Sequence, residues 1–358
     1  MTDTARLGII GTGWWATEAH IPGVLEHPDA TLVAACDTDP ERLQTAVQAY
    51  GLDRTYADYR EMLDRERLDA VIIVTPHATH AAIARDCLAR DLHVLLEKPM
   101  TLYAADARTL VELAAARRKE LLIGYTHNYA PQAQRAREVI ASGALGAVQY
   151  VTCSFASDVA GFLGGRVEQM VAPRPYRVQG PSGAYNRPEL MGGGEGHLQI
   201  THSAGLMFFV TGLRAEVVYA LMRNHDLAVD LVDAMAVSFE GGAIGTAGGT
   251  GNAGLNHRMA LTVYCEDGCF LADTMTRVGV IRRKDGSSED VAGLSRPWSR
   301  YTVTHNFIDC ILGRAENGSP GEVGWRTVEL LDAAYRSVAQ GGAGVRVSDL
   351  YPSAHGSE

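Results

Sequence analysis

Lys98 stands between Glu97 and Pro99 at the end of a short apolar run, residues 93–96. A solvated lysine more often lies on a helix face than behind a strand. When it is partly desolvated its pKa falls towards neutrality, where an amine can exchange a proton with a reacting group. A surface lysine is the plain alternative. The second dense constellation is Gly192-Gly193-Gly194-Glu195-Gly196-His197-Leu198-Gln199-Ile200-Thr201-His202. Its glycines permit close backbone approach, and the helix that follows presents polar groups turn by turn. His197 and His202 are five positions apart, about 140° around a helix, so they do not share one small target. A metal site would need a spacing of four or further ligands, and none is expected. One histidine acting as a base fits, and packing within the helix is the commoner role for either one alone.

Gly11-Thr12-Gly13-Trp14-Trp15-Ala16 follows the apolar run 7–10 and opens a helix. The pattern Gly-x-Gly-x-x-Ala at a strand end lets a pyrophosphate approach backbone N–H groups at a positive helix terminus. Asp37 ends the next run, 24 residues after Gly13, where a carboxylate accepts both ribose hydroxyls and repels a 2′-phosphate. NAD is therefore expected rather than NADP. Trp14 and Trp15 either touch the cofactor or pack on the sheet. Thr75-Pro76-His77 ends a third run. Ligands of such sheets bind outside the carboxyl ends of the strands, so this tripeptide and Glu97-Lys98-Pro99 both face the cofactor crevice. His127 and Asn128, just past a fifth run, are expected at the substrate. The long Gly- and Pro-rich stretch 156–191 carries Arg166, Arg174, Arg177 and Arg187. It is either a solvated loop or a lid over a polar or carboxylate-bearing substrate, with Tyr185 or Arg187 reaching it.

These residues need a scaffold, and the apolar pattern supplies one. Runs at 7–10, 31–36, 70–74, 93–96 and 121–125 read as strands buried on both faces. Helical segments separate them, one opened by Asp39-Pro40 as N-cap and first helical residue. The alternation predicts βαβ units and a parallel sheet. Past residue 125 come a helix at 132–142, a strand at 148–154 and a helix at 195–211. Strands follow at 216–223, 234–240, 243–249 and 259–265, then a hairpin at Asp267-Gly268 and a last helix at 322–339. The expectation is two domains, 1–124 for NAD and 125–358 for substrate and oligomer contacts, the second α+β. The length of 358 residues agrees with two domains. A formal charge of −10 argues against nucleic acid or an anionic membrane as the main partner. No apolar run reaches the roughly 20 residues of a membrane span. The polar start carries no secretory pattern, and six scattered cysteines without a Cys-x-x-Cys pair fit reduced thiols, so a cytoplasmic location is expected.

In this order the residues resemble the glucose-fructose oxidoreductase and inositol dehydrogenase family, Gfo/Idh/MocA, over nearly the whole chain. The resemblance rests on Gly11-x-Gly13-x-x-Ala16 with His20, on Asp37 and on Thr75-Pro76-x-x-x-His80. It rests further on Glu97-Lys98-Pro99, on Gly124-Tyr125-x-x-Asn128-Tyr129-x-Pro131, on His202 and on Asp332-Ala333-Ala334-Tyr335-Arg336-Ser337. It implies an α/β protein, with an N-terminal Rossmann parallel sheet and a C-terminal α+β domain. The large, mostly antiparallel open sheet of that second domain would join a homodimer or homotetramer. It implies reversible hydride transfer between nicotinamide C4 and a secondary alcohol of a sugar, inositol or glycoside, with Lys98 and His202 catalytic. Gly11, Gly13, Trp14, Trp15 and Asp37 would hold the cofactor, joined by Thr75, Pro76, His77, His80, Glu97 and Lys98. The substrate would meet Lys98, His127, Asn128 and Tyr185, and also Arg187, His197, Gln199 and His202. One departure matters. Family members commonly carry an aspartate four residues before the histidine, and here the position is Leu198. Gln199 and Glu195 are the nearby replacements, and Lys98 would carry more of the proton chemistry. Rival readings are a keto-sugar reductase, an oxidoreductase that retains and recycles its NAD, and a non-catalytic NAD-sensing protein.

Overall fold

A computed structural model of the chain describes residues 4–166, 176–291 and 299–351. Its first sheet has six parallel strands: β1 (Ala5–Ile10), β2 (Ala30–Cys36), β3 (Thr55–Tyr56), β4 (Ala70–Ile73), β5 (His93–Leu96) and β6 (Leu121–Ile123). Their order is β3-β2-β1-β4-β5-β6. Leu7, Ile9, Ile72 and Leu95 have no exposed surface, because helices cover both faces. The order reverses between β1 and β4. That switch point opens a crevice at the carboxyl ends of the strands, where Gly11, Thr75 and Glu97 stand. β3 and the helix Tyr59–Arg65 were not expected from the pattern: two residues of strand leave no periodicity to read. The helix Pro40–Tyr50 starts as its sequence predicts, with Asp39 accepting from Glu41 N and Arg42 N at 3.0 and 3.2 Å. Such a cap contributes about 1 kcal/mol.

The second sheet has nine strands: β7 (Val148–Ala156), β8 (Ala215–Arg223), β9 (Val232–Phe239), β10 (Ile244–Thr250), β11 (Arg258–Cys265), β12 (Gly268–Asp273), β13 (Val278–Arg283), β14 (Ser288–Asp290) and β15 (Val345–Arg346). They lie in the order β14-β13-β12-β11-β7-β10-β9-β8-β15. All pairs are antiparallel except β7 with β10. Residues alternate along β8 between a buried and an exposed face. The helices Thr201–Thr211 and Gly321–Ala339 cover the buried face. The other face is exposed among the described residues, at Tyr219, Leu221 and Ile244 for example.

Two connections tie the sheets together. The helix Thr302–Ile311 returns to the first sheet, where Val303, Phe307 and Ile308 share a core with Leu7, Ile9 and Leu95. Asp332, on the helix Gly321–Ala339, accepts from Ala104 N at 2.9 Å and so caps the helix Ala104–Arg117 from outside.

Candidate active site

Gly11 has φ of 91°, and a Cβ there would meet Val74 O at 2.3 Å. Only glycine makes this turn. Gly13 has no neighbour nearer than the Arg42 side chain at 3.8 Å, so its outer side is open. The helix behind starts with a π-type turn, Ala16–His20. A glycine turn with an open face at a helix start fits the pyrophosphate of a dinucleotide. Asp37 fastens this turn to β2: Oδ2 accepts from Thr12 N and Oγ1 at 2.8 and 3.1 Å, and Oδ1 accepts from Asp39 N at 2.9 Å. Arg42 Nη1 lies 3.7 Å from the same carboxylate.

Glu97 is a buried hub. Its Oε1 accepts from Trp15 Nε1 at 3.0 Å and lies 2.9 Å from His20 Nε2, and its Oε2 accepts from Lys98 N at 3.1 Å. A Cβ on Gly124 would meet Oε1 at 2.4 Å, which explains that glycine. The ring nitrogens of His80 lie 2.8 Å from the carbonyl oxygens of Pro99 and Thr75, so His80 braces both cofactor-side tripeptides from behind. His77 Nδ1 lies 3.0 Å from Met191 O.

Lys98 Nζ donates to the carbonyl oxygen of Leu198 at 2.9 Å. Burial lowers its pKa to about 8, against the opposing pull of the Glu97 carboxylate. His202 packs with His127, ring centroids 5.6 Å apart, and with Phe155 at 6.1 Å. Burial first, then the charge of Lys98 and then His127, keep His202 well below its usual pKa. His127 is lowered to about 4 by burial and Lys98. Near neutral pH the site therefore holds two neutral imidazoles beside an amine that titrates close by. At the position of the family's aspartate, the Leu198 side chain joins an apolar cluster with Phe162 and Leu231, while its backbone oxygen holds Lys98.

The glycine run owes its composition to packing. A Cβ on Gly193 would meet Tyr335 Oη at 2.1 Å, and one on Gly194 would meet Asp230 O at 2.0 Å. Asp230 accepts from Gly194 N, Gly196 N and Tyr335 Oη at 2.8–2.9 Å. The helix then opens with a second π-type turn, Gly196–Ile200, a local insertion common at functional sites. Glu195 is fully buried behind the site. Burial, then Asp233 and Asp230, push it up to about 10, so it is a neutral acid.

One cavity of about 1270 Å³ joins these parts. That exceeds the roughly 300–1,000 Å³ of an ordinary ligand pocket, and leaves room for a dinucleotide and a second small molecule. Gly11, Gly13, Trp14, Trp15, Asp37, Thr75, Pro76, His77 and Glu97 line it, as do Lys98, His127, Tyr185, Gln199 and His202. Four expected residues do not line it. His80 lies beneath, as described. Asn128 is buried and donates to Ser319 Oγ at 3.2 Å. His197 stacks on Tyr335, centroids 4.6 Å apart, on the Asp230 side. Arg187 is exposed and pairs with Glu189 at 2.7 Å. Arg174 lies outside the described residues.

The apolar wall of Phe155, Phe162 and Met191, and the β12–β13 turn with Thr274 and Arg277, are cavity parts not expected from the sequence. Phe155 could have been found from its inward register on β7; the turn residues carry no sequence signal. The stretch after 176 lies over the glycine turn. Gln179 donates to Thr12 O, Arg177 N donates to the Glu18 carboxylate, and Arg300 pairs with Glu18 at 2.5 Å. Gly180, Pro181 and Ser182 form cavity wall. Among the described residues, no group of three or more His, Cys, Asp or Glu is placed to hold a metal, and no helix is long and apolar enough to cross a membrane.

Residues 5–125 match the oxidoreductase family with an NAD-binding Rossmann fold, and residues 133–271 match the GFO/IDH/MocA C-terminal domain. The chain belongs to the Gfo/Idh/MocA family. It is an NAD-binding oxidoreductase. A D-apiose dehydrogenase of Paraburkholderia graminis is 24% identical over 93% of this chain and 87% of its own length. An inositol 2-dehydrogenase of Rubrobacter xylanophilus is 33% identical, over 41% of this chain and 42% of its own length. A levoglucosan dehydrogenase solved with NADH and levoglucosan superposes with a TM-score of 0.79 at 17% identity, covering 96% of this chain and 99% of that one. At that identity the likeness speaks for the Gfo/Idh/MocA fold alone.

Proposed function

We propose that this Gfo/Idh/MocA chain is a dehydrogenase that interconverts a secondary alcohol and a ketone on a sugar, inositol or glycoside. The observation that carries the reading is Lys98: half-buried, held on Leu198 O, and close enough to the neutral His202 to depress its pKa, in a cavity continuous with the glycine turn. When bound, NAD supplies the two-electron acceptor at nicotinamide C4. Gly11 and Gly13 would hold its pyrophosphate and Asp37 its adenosine ribose, with Thr75, Pro76 and Trp14 along the crevice. Everything else falls to side chains of this chain. Lys98, as the neutral amine, takes the proton from the reacting hydroxyl; a base with a pKa of about 8 is matched to that task near physiological pH. His202, neutral and a weaker base, orients the hydroxyl, and His127, Gln199 and Tyr185 bound the ring. The apolar wall excludes water, which strengthens each polar contact inside. Bringing these groups to near-attack distance supplies much of the acceleration.

In this reading residues 1–124, together with the helix Thr302–Ile311 packed on their sheet, serve the cofactor and the remainder the substrate. The open face of the second sheet joins two or four copies. Leu221 and Ile244 are 59% and 58% exposed there, beside Tyr150, Tyr219 and Tyr264, the kind of apolar patch that marks an interface. The names of the D-apiose and inositol relatives support a carbohydrate substrate. The test is a screen of NAD reduction over inositols, aldoses, sugar acids and glycosides. Reduction with at least one class supports the proposal, and none with any class refutes it.

A further inference from the structure

We propose that the turn between β12 and β13 builds an anion-binding subsite in the same cavity, so that the carbohydrate carries a carboxylate or phosphate remote from the reacting hydroxyl. This rests on the carbohydrate reading above and narrows it. Thr274, Met275 and Arg277 line the cavity, next to Gln132 at the start of the helix Pro131–Ala141. The turn is held by contacts that do not involve Arg277. Asp273 Oδ1 accepts from Met275 N and Thr276 N at 3.1 and 3.3 Å, and Asp273 Oδ2 pairs with Arg258 at 3.2 Å.

Three observations single out Arg277. It holds φ of 59°, a left-handed conformation that a side-chain-bearing residue rarely adopts and that gathers at functional sites. Its guanidinium has no carboxylate within 4 Å among the described residues, in a chain of net charge −10. The other two cavity arginines are balanced: Arg42 faces Asp39 at 3.3 Å and Asp37 at 3.7 Å, and Arg60 faces Asp86 at 3.4 Å. Beside Arg277, the Thr274 hydroxyl oxygen is buried with no partner. An unpaired guanidinium and an unused hydroxyl on a fixed turn suit a planar or tetrahedral oxyanion.

The sheet sets the distance from the chemistry. Phe155, against the His202 ring, pairs with Met259, and Thr274 N bonds to Met259 O at 3.0 Å. Two strand spacings amount to roughly 10 Å. The turn thus stands about two strand spacings from the Phe155 wall, so the anion lies away from the reacting carbon, as in a sugar acid, a sugar phosphate or a nucleotide-linked sugar.

The experiment compares kcat/KM for NAD reduction by matched neutral, carboxylate and phosphate sugars: glucose, glucuronate and glucose 6-phosphate, with their methyl glycosides. Wild type, Arg277→Met and Arg277→Lys are measured. The expected result is an anionic preference of at least tenfold in wild type, lost in Arg277→Met through KM and partly restored in Arg277→Lys. Whether the carboxylate or the phosphate arm dominates names the source of the anion. Equal kcat/KM for neutral and anionic sugars in wild type, or an anionic preference untouched by Arg277→Met, overturns the subsite while leaving the dehydrogenase reading intact. If no sugar reduces NAD, that reading fails instead. Calorimetric titration of glucuronate and glucose 6-phosphate into wild type and Arg277→Met then decides the subsite: binding lost in the variant supports it, and no binding or equal binding overturns it.

Discussion

At the scale of single residues, the chemistry turns on how burial sorts three cations-to-be. Lys98 is brought down to about 8, while His127 and His202 are kept neutral. If the amine is the base, the rate of alcohol oxidation is low below pH 7, rises through about 8 and levels off above it. In the reverse direction the ammonium is required, so ketone reduction falls above the same value. A pH–rate profile of kcat/KM in both directions checks the sign. Lys98 and Asp37 were legible in the sequence because each ends an apolar strand, a position that admits few polar roles. Leu198 was legible only as a departure. That its backbone oxygen, rather than a side chain, holds Lys98 is a consequence of helix placement that no residue type records. Glu195, a sequence candidate to replace the missing aspartate, lies behind the site as a neutral acid. Arg277 left no trace in the sequence, since its meaning depends on the acids that are not near it.

At the scale of elements, the close backbone approach that the glycine run permits is a packing requirement. Gly193→Ala pushes a methyl group into Tyr335, which is itself held by Asp230. We expect a loss of about 1–3 kcal/mol, typical of overpacking, measured by denaturant unfolding, and a fall in kcat as His202 shifts with its helix. The longer elements were readable from the sequence: five of the six parallel strands, the helix capped by Asp39, and a hairpin between Tyr264 and Leu271, whose turn falls at Glu266-Asp267, one residue before the expected Asp267-Gly268. The short ones were not. β3 and β15 are two residues each, and β14 is Ser-Glu-Asp, with no intrinsic preference for a strand. They exist because a neighbouring edge offers them backbone partners. The stretch 156–191 read as loop or lid; its part after 176 is fastened across the glycine turn through Thr12 and Glu18.

At the scale of the molecule, sequence order and spatial order part company after residue 299. Phe307 is fully buried against the first sheet, although it follows the second in the chain. Phe307→Ala should cost about 3–5 kcal/mol. Because the loss falls on the NAD-binding half, NADH affinity by fluorescence titration should weaken with it. The open face of the second sheet gives the other test at this scale. Ile244→Glu with Leu221→Glu places charges on the exposed apolar row, and sedimentation should report a smaller assembly than wild type. A wild-type monomer would contradict the oligomer proposal.

The most direct measurement is NAD reduction across the carbohydrate panel by wild type and Lys98→Met, with NADH binding to both followed by fluorescence. Wild type should turn over at least one sugar, polyol or glycoside. Lys98→Met should show no measurable turnover, with NADH affinity within a few-fold of wild type. Near-normal turnover in Lys98→Met would contradict the role of Lys98 as the base.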